Sequence, residues 1–248
     1  EQTFLTKAII EARNFQIFKT PLYQRRIIEV NSLSAKVGYD VIISCIKNLN
    51  ELIKFYNKKM GNFNKIEKLF IDSRFNFLTK EIYKNIVLLK KKQIKKIIMI
   101  ITKKYNFKKK KIITNTNLKE LFKDQRTLIK IFLNKKKTEK NKIFKILNKI
   151  SNQDVVVYCA GSYSKIILKL VPVCNINVKF VCDSNLGFQN QKIYNHQIKS
   201  KNYLVKGQKK FLGENILISN SNLKTSINIK KDLIRNGFNK NKIHCLGY

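Results

Sequence analysis

The sequence predicts an α/β fold, in which a parallel-sheet domain at residues 151–248 follows a mainly helical, lysine-rich region. Three observations predict it. Short β-branched runs alternate with helical apolar spacing after residue 151, a glycine turn joins the first run to a helix, and most of the positive charge lies earlier in the chain. We therefore expect three segments: residues 1–35, 36–150 and 151–248.

The first segment predicts a short helix and a hairpin. Residues 6–13 have helical spacing, and two extended stretches at 15–19 and 26–30 flank a turn that contains Pro21. One interpretation is that residues 1–35 are the end of a truncated domain, and both a fragment and a processed product stay open for the chain.

The second segment predicts several helices with charged outer faces. An apolar stripe of helical period runs through 36–59 and ends before Gly61, and similar spacing recurs at 118–133 and 142–150. Residues 97–102 are rich in β-branched side chains, which leaves strand content open there.

The third segment predicts strands and helices in alternation. Continuous apolar runs of this length are typical of buried parallel strands, and their connections imply right-handed crossovers. The strands are expected at 154–159, 178–182, 215–219 and 242–245, and the helices at 163–171 and 224–236, the last one capped by Gly237.

The first strand-to-helix turn has the spacing of a glycine-rich dinucleotide-binding loop. Cys159, Gly161 and Ser164 occupy the three small-residue positions, and only the middle one is glycine. Asp183 ends the second strand, where an acidic residue binds a ribose hydroxyl in such folds. The helix amides that follow the glycine would hold a phosphate. The predicted binding residues are Gly161, Ser162, Tyr163, Ser164, Asp183 and Ser219, and the polar stretch at 219–221 would line the same crevice at the carboxyl ends of the strands.

Structural interpretations of the same residues stay open. Gly161 would then only turn the chain, and Asp183 would only cap the loop after the strand. Cys159 is a candidate nucleophile, but no histidine or acid is evidently supplied to it, so we favour an inert core thiol. His196 and His244 are interpreted as structural or surface residues, and no catalytic residue is assigned.

The five cysteines form no C-x-x-C pair, and with two histidines they give no zinc-ligand spacing. We predict neither a metal site nor a disulfide framework, and a reducing compartment fits this usage best.

A family resemblance emerges when the third segment is read as a whole. The segments that show this resemblance are DVVVYCAGSYSKIILKL at 154–170, VKFVCDSN at 178–185, QKIYNHQI at 191–198, NILISN at 215–220 and NGFNKNKI at 236–243. Together they resemble the Rossmann-like domain of bacterial surface-polysaccharide biosynthesis proteins and sugar methyltransferases. The resemblance implies a nucleotide or nucleotide-sugar ligand, or a scaffold role. The sequence departs from the family pattern at Cys159, at Ser164 and at Gln197, where proline is usual.

A weaker resemblance lies at the other end. Residues 3–17 and 26–30 look like the last helix and hairpin of a class I methyltransferase, with Asn14 where glycine is usual. On that interpretation S-adenosylmethionine would be a cofactor only if a further domain precedes this segment.

The charge suggests an anionic partner. Residues 1–150 hold 37 Lys and Arg against 11 Asp and Glu, a net +26, and residues 151–248 hold 15 against 4, a net +11. The alternative explanation of the charge is an AT-rich coding sequence, which would enrich lysine on a solvated surface. Lysine clusters around Tyr105 and Phe107 would suit a nucleic acid, which makes an organellar or ribosomal component the alternative function, although arginine is scarce. An anionic membrane surface or phosphorylated substrate would also suit the region 64–150.

No stretch is both apolar and long enough to span a bilayer, and no signal peptide is evident. We expect a cytoplasmic protein, or one peripheral at the inner membrane face.

Overall fold

The computed structural model describes residues 7–8, 10–11, 37–59, 63–105 and 120–246. The chain divides into two compact units, the first with Gly38–Lys137 among its residues and the second with Thr138–Tyr248. Residues 7–8 and 10–11 of the predicted first helix are helical. The extended stretches expected at 15–19 and 26–30, together with Gly61, lie outside the described residues.

The first unit is built from long amphipathic helices. They are α1 (Tyr39–Lys59), α2 (Lys65–Asn85), α3 (Lys91–Met99) and the first part of α4 (Gln125–Leu147). The helix predicted at 36–59 is confirmed and begins slightly later, because Gly38 has a φ of +84°. The Asn85 side chain accepts the Gly38 N–H at 2.7 Å and fixes this start.

The β-prone residues 97–102 are helical, so no strand is found in the described part of this unit. They lie in α3 and the π-helical turn Ile100–Lys104. The reason is tertiary: Ile94, Ile97, Ile98 and Ile101 share one face at helical spacing and are all buried. Burial of that face outweighs the local β preference.

Helix α4 joins the two apolar patterns predicted at 118–133 and 142–150 into one long helix. It continues through the lysine-rich residues 134–141, and a separate 3₁₀ turn, Glu120–Phe122, precedes it. Asp124 accepts the N–H of Thr127 at 3.0 Å and so caps the start of the helix.

The second unit is a six-stranded sheet with helices, and it confirms the α/β class. Its strands are β1 (Asp154–Tyr158), β2 (Asn177–Asp183), β3 (Lys192–Ile193), β4 (His196–Ser200), β5 (Asn215–Ile218) and β6 (Ile243–Cys245). Its helices are α5 (Ser162–Leu170), α6 (Lys201–Lys206), α7 (Gln208–Phe211) and α8 (Leu223–Arg235), besides the end of α4. The predicted strands and helices are confirmed, with ends that differ by a residue or so.

The strand order is β3-β4-β2-β1-β5-β6, and all neighbours are parallel except the antiparallel pair β3–β4. Without the short edge strand β3, this is the order of a Rossmann-like sheet. The chain moves from β1 outward to β4 and then returns to β5 on the other side of β1. The direction of winding therefore switches between β1 and β5.

The sequence did not predict β3 and β4. β4 reads His-Gln-Ile-Lys-Ser, and Ile198 is its one fully buried side chain, so it lacks the apolar run of the central strands. Its pairing with β2, from Val181 opposite Ile198 to Asp183 opposite Ser200, comes from the sheet and not from local composition.

Candidate functional site

A cleft of about 290 Å³ opens at the carboxyl ends of β1, β2 and β5. This is the edge at which parallel sheets bind ligands, and it lies at the switch in strand order. Of the six predicted binding residues, five line this cleft: Gly161, Ser162, Tyr163, Asp183 and Ser219. Ser164 is not among the lining residues.

Cys159 keeps the backbone shape of the loop although glycine is usual at its position. Its φ is +86°, in the left-handed region that favours glycine. The Cys159 N–H donates to the Cys182 carbonyl at 2.7 Å, which extends the β1–β2 ladder into the turn. Cys159 therefore adopts the left-handed backbone conformation that a glycine would adopt readily at this position.

Gly161 is not required by the fold. Its φ of −77° and ψ of −173° are open to any residue, and a Cβ added there would meet no atom within 4 Å. The chain can turn here without glycine. Because glycine has no side chain, the backbone at residue 161 is accessible from the cleft.

The N-terminus of α5 has no side-chain cap. Gly161 occupies the N-cap position and offers no side chain to accept an N–H of the first turn. Because a helix N-terminus carries partial positive charge, and no N-cap side chain covers this one, this end is suited to an anionic oxygen.

Asp183 fastens the loop and also borders the cleft. One carboxylate oxygen accepts the Ala160 N–H at 2.7 Å, and the other accepts the Asn185 N–H at 2.7 Å. The loop-capping interpretation of Asp183 is thus confirmed. Each carboxylate oxygen can accept a second hydrogen bond, so capping does not exclude a ligand hydroxyl.

Ser164 and Ser219 form a buried hydroxyl pair beneath the loop. Their Oγ atoms lie 2.7 Å apart, and Ser164 Oγ lies 2.6 Å from the Cys159 carbonyl oxygen. Ser164 stands where the third glycine would let helix and strand approach closely. Its hydroxyl bonds within the protein, so it supports the loop, whereas Ser219 both supports the loop and reaches the cleft wall.

The polar stretch Ser219, Asn220 and Ser221, expected from the sequence to line this crevice, does line it. Several other lining residues were not predicted. They are Tyr158, Cys159, Ser184, Phe188, Thr225 and Ile229. Thr225 and Ile229 on α8 could be placed only once the position of β5 beside β1 was known.

The electrostatics of the cleft differ from those of the whole chain. None of the described residues that line it is Lys or Arg, and Asp183 is their one carboxylate. Burial, with a contribution from Asp183, raises the pKa of the Cys159 thiol to about 12. A protonated thiol is a poor nucleophile, which favours the inert-thiol interpretation.

The two histidines do not line the cleft. His244 Nε2 lies 3.0 Å from Asn215 Oδ1, and Asn215 is the first residue of β5, at the opposite edge of the sheet. Burial lowers the pKa of both His196 and His244. Both are half-buried, in line with a structural role.

The predicted basic surface is described only in part. Lys90, Lys91 and Lys92 are exposed around the start of α3, whereas Phe107 and residues 108–111 lie outside the described part of the chain. Among the described residues, no group of three or more His, Cys, Asp or Glu is arranged to hold a metal ion. No helix there is long and apolar enough to cross a membrane.

No protein-family model matches this chain, and no curated protein or solved structure matches it either. The resemblance to sugar-modifying proteins therefore stays a hypothesis that depends on the residues themselves.

Proposed function

We propose that the second unit binds a nucleotide or nucleotide-linked sugar in the cleft between β1, β2 and β5. The chain would serve in a sugar-modifying, methyltransferase-like protein of bacterial surface-glycan biosynthesis. The observation that carries the proposal is Gly161, a glycine that the backbone does not need, placed where a ligand phosphate would approach the first turn of α5.

The phosphate would lie against the N-terminus of α5. Ser162 begins the helix and is exposed, and the bare backbone of Gly161 allows an anionic oxygen to come within hydrogen-bonding distance of the amides. A side chain at residue 161 would occupy that space.

The ribose would lie beside Asp183. The hydrogen bond from Ala160 to Asp183 holds the carboxylate against the same loop that carries Gly161. One ligand can therefore reach both groups, with its phosphate at the helix and a sugar hydroxyl at the remaining lone pairs of the carboxylate.

The charge of the lining favours a ligand with few negative charges at the site. The cleft wall has one carboxylate and no Lys or Arg, so only backbone and hydroxyl dipoles are there to stabilise the negative charge of a phosphate. Diphosphate diesters, such as nucleotide sugars, fit this better than a terminal triphosphate. Asn220 and Ser221 supply hydrogen-bonding groups for a sugar, and Phe188 supplies an aromatic surface for a ring.

A matched pair of glycine substitutions tests the proposal on the full chain. Gly161 and Gly213 both have open space where a Cβ would lie, but only Gly161 lines the cleft. Isothermal titration calorimetry would measure binding of uridine, guanosine and cytidine diphosphate sugars, NAD⁺ and nucleoside triphosphates. We expect a diphosphate sugar to bind, Gly161→Ala to weaken it at least tenfold, and Gly213→Ala to leave it unchanged.

Both glycine variants are expected to fold as well as the parent chain, because neither Cβ meets an atom. Absence of binding by every probe to the parent chain would refute the proposal. Equal binding by Gly161→Ala and Gly213→Ala would show that the ligand does not use the α5 loop.

A further inference from the structure

Helix α2 has apolar side chains on two opposite faces. One face is buried in the core of the first unit and includes Ile71, Phe75 and Ile82. The other face carries Ile66, which is 79% exposed, and Leu69, which is 63% exposed. A helix on the surface of a water-facing domain normally has a polar outer face, so this second apolar face needs a partner.

The exposed residues form one stripe. Ile66, Leu69 and Phe77 lie three and eight positions apart, a spacing that keeps them on one side of the helix over three turns. Phe77 is 41% exposed. We refer to Ile66, Leu69 and Phe77 as the outer stripe.

Basic side chains flank the outer stripe. Lys65 lies four positions before Leu69 and Lys80 lies three positions after Phe77, so both neighbour the stripe, and both are exposed. The Arg74 guanidinium lies 5.2 Å from the centre of the Phe70 ring. Because long basic side chains reach past apolar neighbours, this arrangement offers cations around an apolar centre.

The acidic residues of α2 do not offset this pattern fully. Glu67 accepts the backbone N–H of Asn64 at 2.8 Å in the capping box at the start of the helix. Glu81 pairs with Lys84 at 2.7 Å. Helix α2 also carries Asp72, and its five Lys and Arg residues against three Asp and Glu residues leave the helix a net charge of +2. The helix therefore keeps an excess of positive charge for an anionic partner.

We propose that the outer stripe of α2 is a peripheral docking surface for an anionic lipid bilayer. An interfacial helix inserts apolar side chains between acyl chains while its lysines contact anionic headgroups, and it needs no spanning segment. This surface belongs to the first unit and is independent of the nucleotide cleft.

Two other occupants fit less well. A nucleic acid would use rings for base stacking, but the most exposed members of the stripe, Ile66 and Leu69, are aliphatic. A second copy of the chain would bring together two molecules that each carry a formal net charge of +37, which repel one another.

A charge-neutral substitution separates insertion from general attraction. Leu69→Ser removes the apolar side chain and leaves every charge in place. Val173→Ser is the control, because Val173 is 68% exposed in the second unit. Co-sedimentation of the full-length variants with phosphatidylcholine vesicles that contain one third phosphatidylglycerol should show about tenfold weaker binding for Leu69→Ser. Val173→Ser should bind like the parent.

A tryptophan placed in the stripe would report contact directly, since the chain has no tryptophan of its own. Phe77→Trp should shift its emission to shorter wavelength when these vesicles are added. Leu212→Trp, at a site of similar exposure (43%) in the second unit, should not shift. Vesicles of phosphatidylcholine alone should give a much smaller shift, because the lysines then have no anionic headgroups.

Three results would overturn the proposal. Equal vesicle binding by the parent and Leu69→Ser would show that charge alone attracts the protein to the vesicles, with no insertion of the stripe. A loss of single-stranded RNA binding in Leu69→Ser, with vesicle binding unchanged, would assign the stripe to nucleic acid. Self-association of the parent that Leu69→Ser abolishes in sedimentation velocity would assign it to a second copy.

Discussion

The two strand-to-helix junctions beside the switch in strand order are built differently. At the β5–α8 junction, Asn220 Oδ1 accepts the Asn222 N–H at 2.8 Å, and Asn222 Oδ1 accepts the Thr225 N–H at 3.0 Å. That junction satisfies its own backbone. At the β1–α5 junction, Gly161 offers no cap, and the loop is held from outside by Asp183 on the neighbouring strand.

The difference shows how one fold can hold one helix N-terminus closed and another open. At the β5–α8 junction the Asn222 side chain bonds an N–H of the first helical turn, so that N–H is not offered to a ligand. At the β1–α5 junction a carboxylate from the neighbouring strand holds the loop, and no side-chain cap covers the helix end. Substitutions at three positions, Asp183, Cys159 and Asn222, would test this contrast.

The largest effect is expected at Asp183. Asp183→Ala removes an acceptor from two backbone N–H groups, and bonds from N–H to a carboxylate are among the stronger ones, so the free energy of unfolding should fall by about 2–3 kcal/mol. Urea unfolding followed by far-ultraviolet circular dichroism would measure this. Any nucleotide-sugar binding should be lost as well.

Asp232→Ala is the control for the loss of stability expected in Asp183→Ala. Asp232 forms an exposed pair with Lys201 at 2.8 Å, and surface pairs contribute at most about 1 kcal/mol. If Asp183→Ala were no more destabilising than Asp232→Ala, the idea that Asp183 holds the loop would be wrong.

A smaller effect is expected at Cys159, whose left-handed backbone shapes the open junction. Cys159→Val puts a β-branched side chain at a φ of +86° and should cost about 2 kcal/mol. Cys159→Gly should stay within about 1 kcal/mol of the parent, because glycine adopts this conformation readily. Thermal unfolding of the two variants side by side would check the ranking, and a reversed order would show that packing of the thiol outweighs the backbone.

The smallest effect is expected at the closed junction. Asn222→Ala removes the cap of α8 and should lower the free energy of unfolding by about 1 kcal/mol. Because this helix end already bonds within the protein, ligand affinity measured by calorimetry should not change. A tenfold loss of affinity would mean that the β5–α8 junction contributes to ligand binding as well as the β1–α5 junction.

Most strands and helices could be predicted from the sequence, but the full set of residues that meet at the cleft could not. Apolar runs such as Val155, Val156 and Val157 predict a buried strand because β-branched side chains pack well on the two covered faces of a parallel sheet. The polar strand β4 gave no such signal. Residues 97–102 gave a misleading one, because the packing of one helical face overrode local preference there.

The sequence alone determined the strand–turn–helix order after residue 151 and the positions of Gly161 and Asp183 along it. Those properties follow from local chemistry, since apolar runs fold as buried strands and small residues occupy tight turns. Only the tertiary structure decided that Asp183 bonds to Ala160, that Ser164 turns inward to Ser219, and that α8 supplies part of the cleft wall. Ala160 and Asp183 are 23 positions apart in the chain, and Ser164 and Ser219 are 55 positions apart, so these contacts depend on how the strands pair across the sheet.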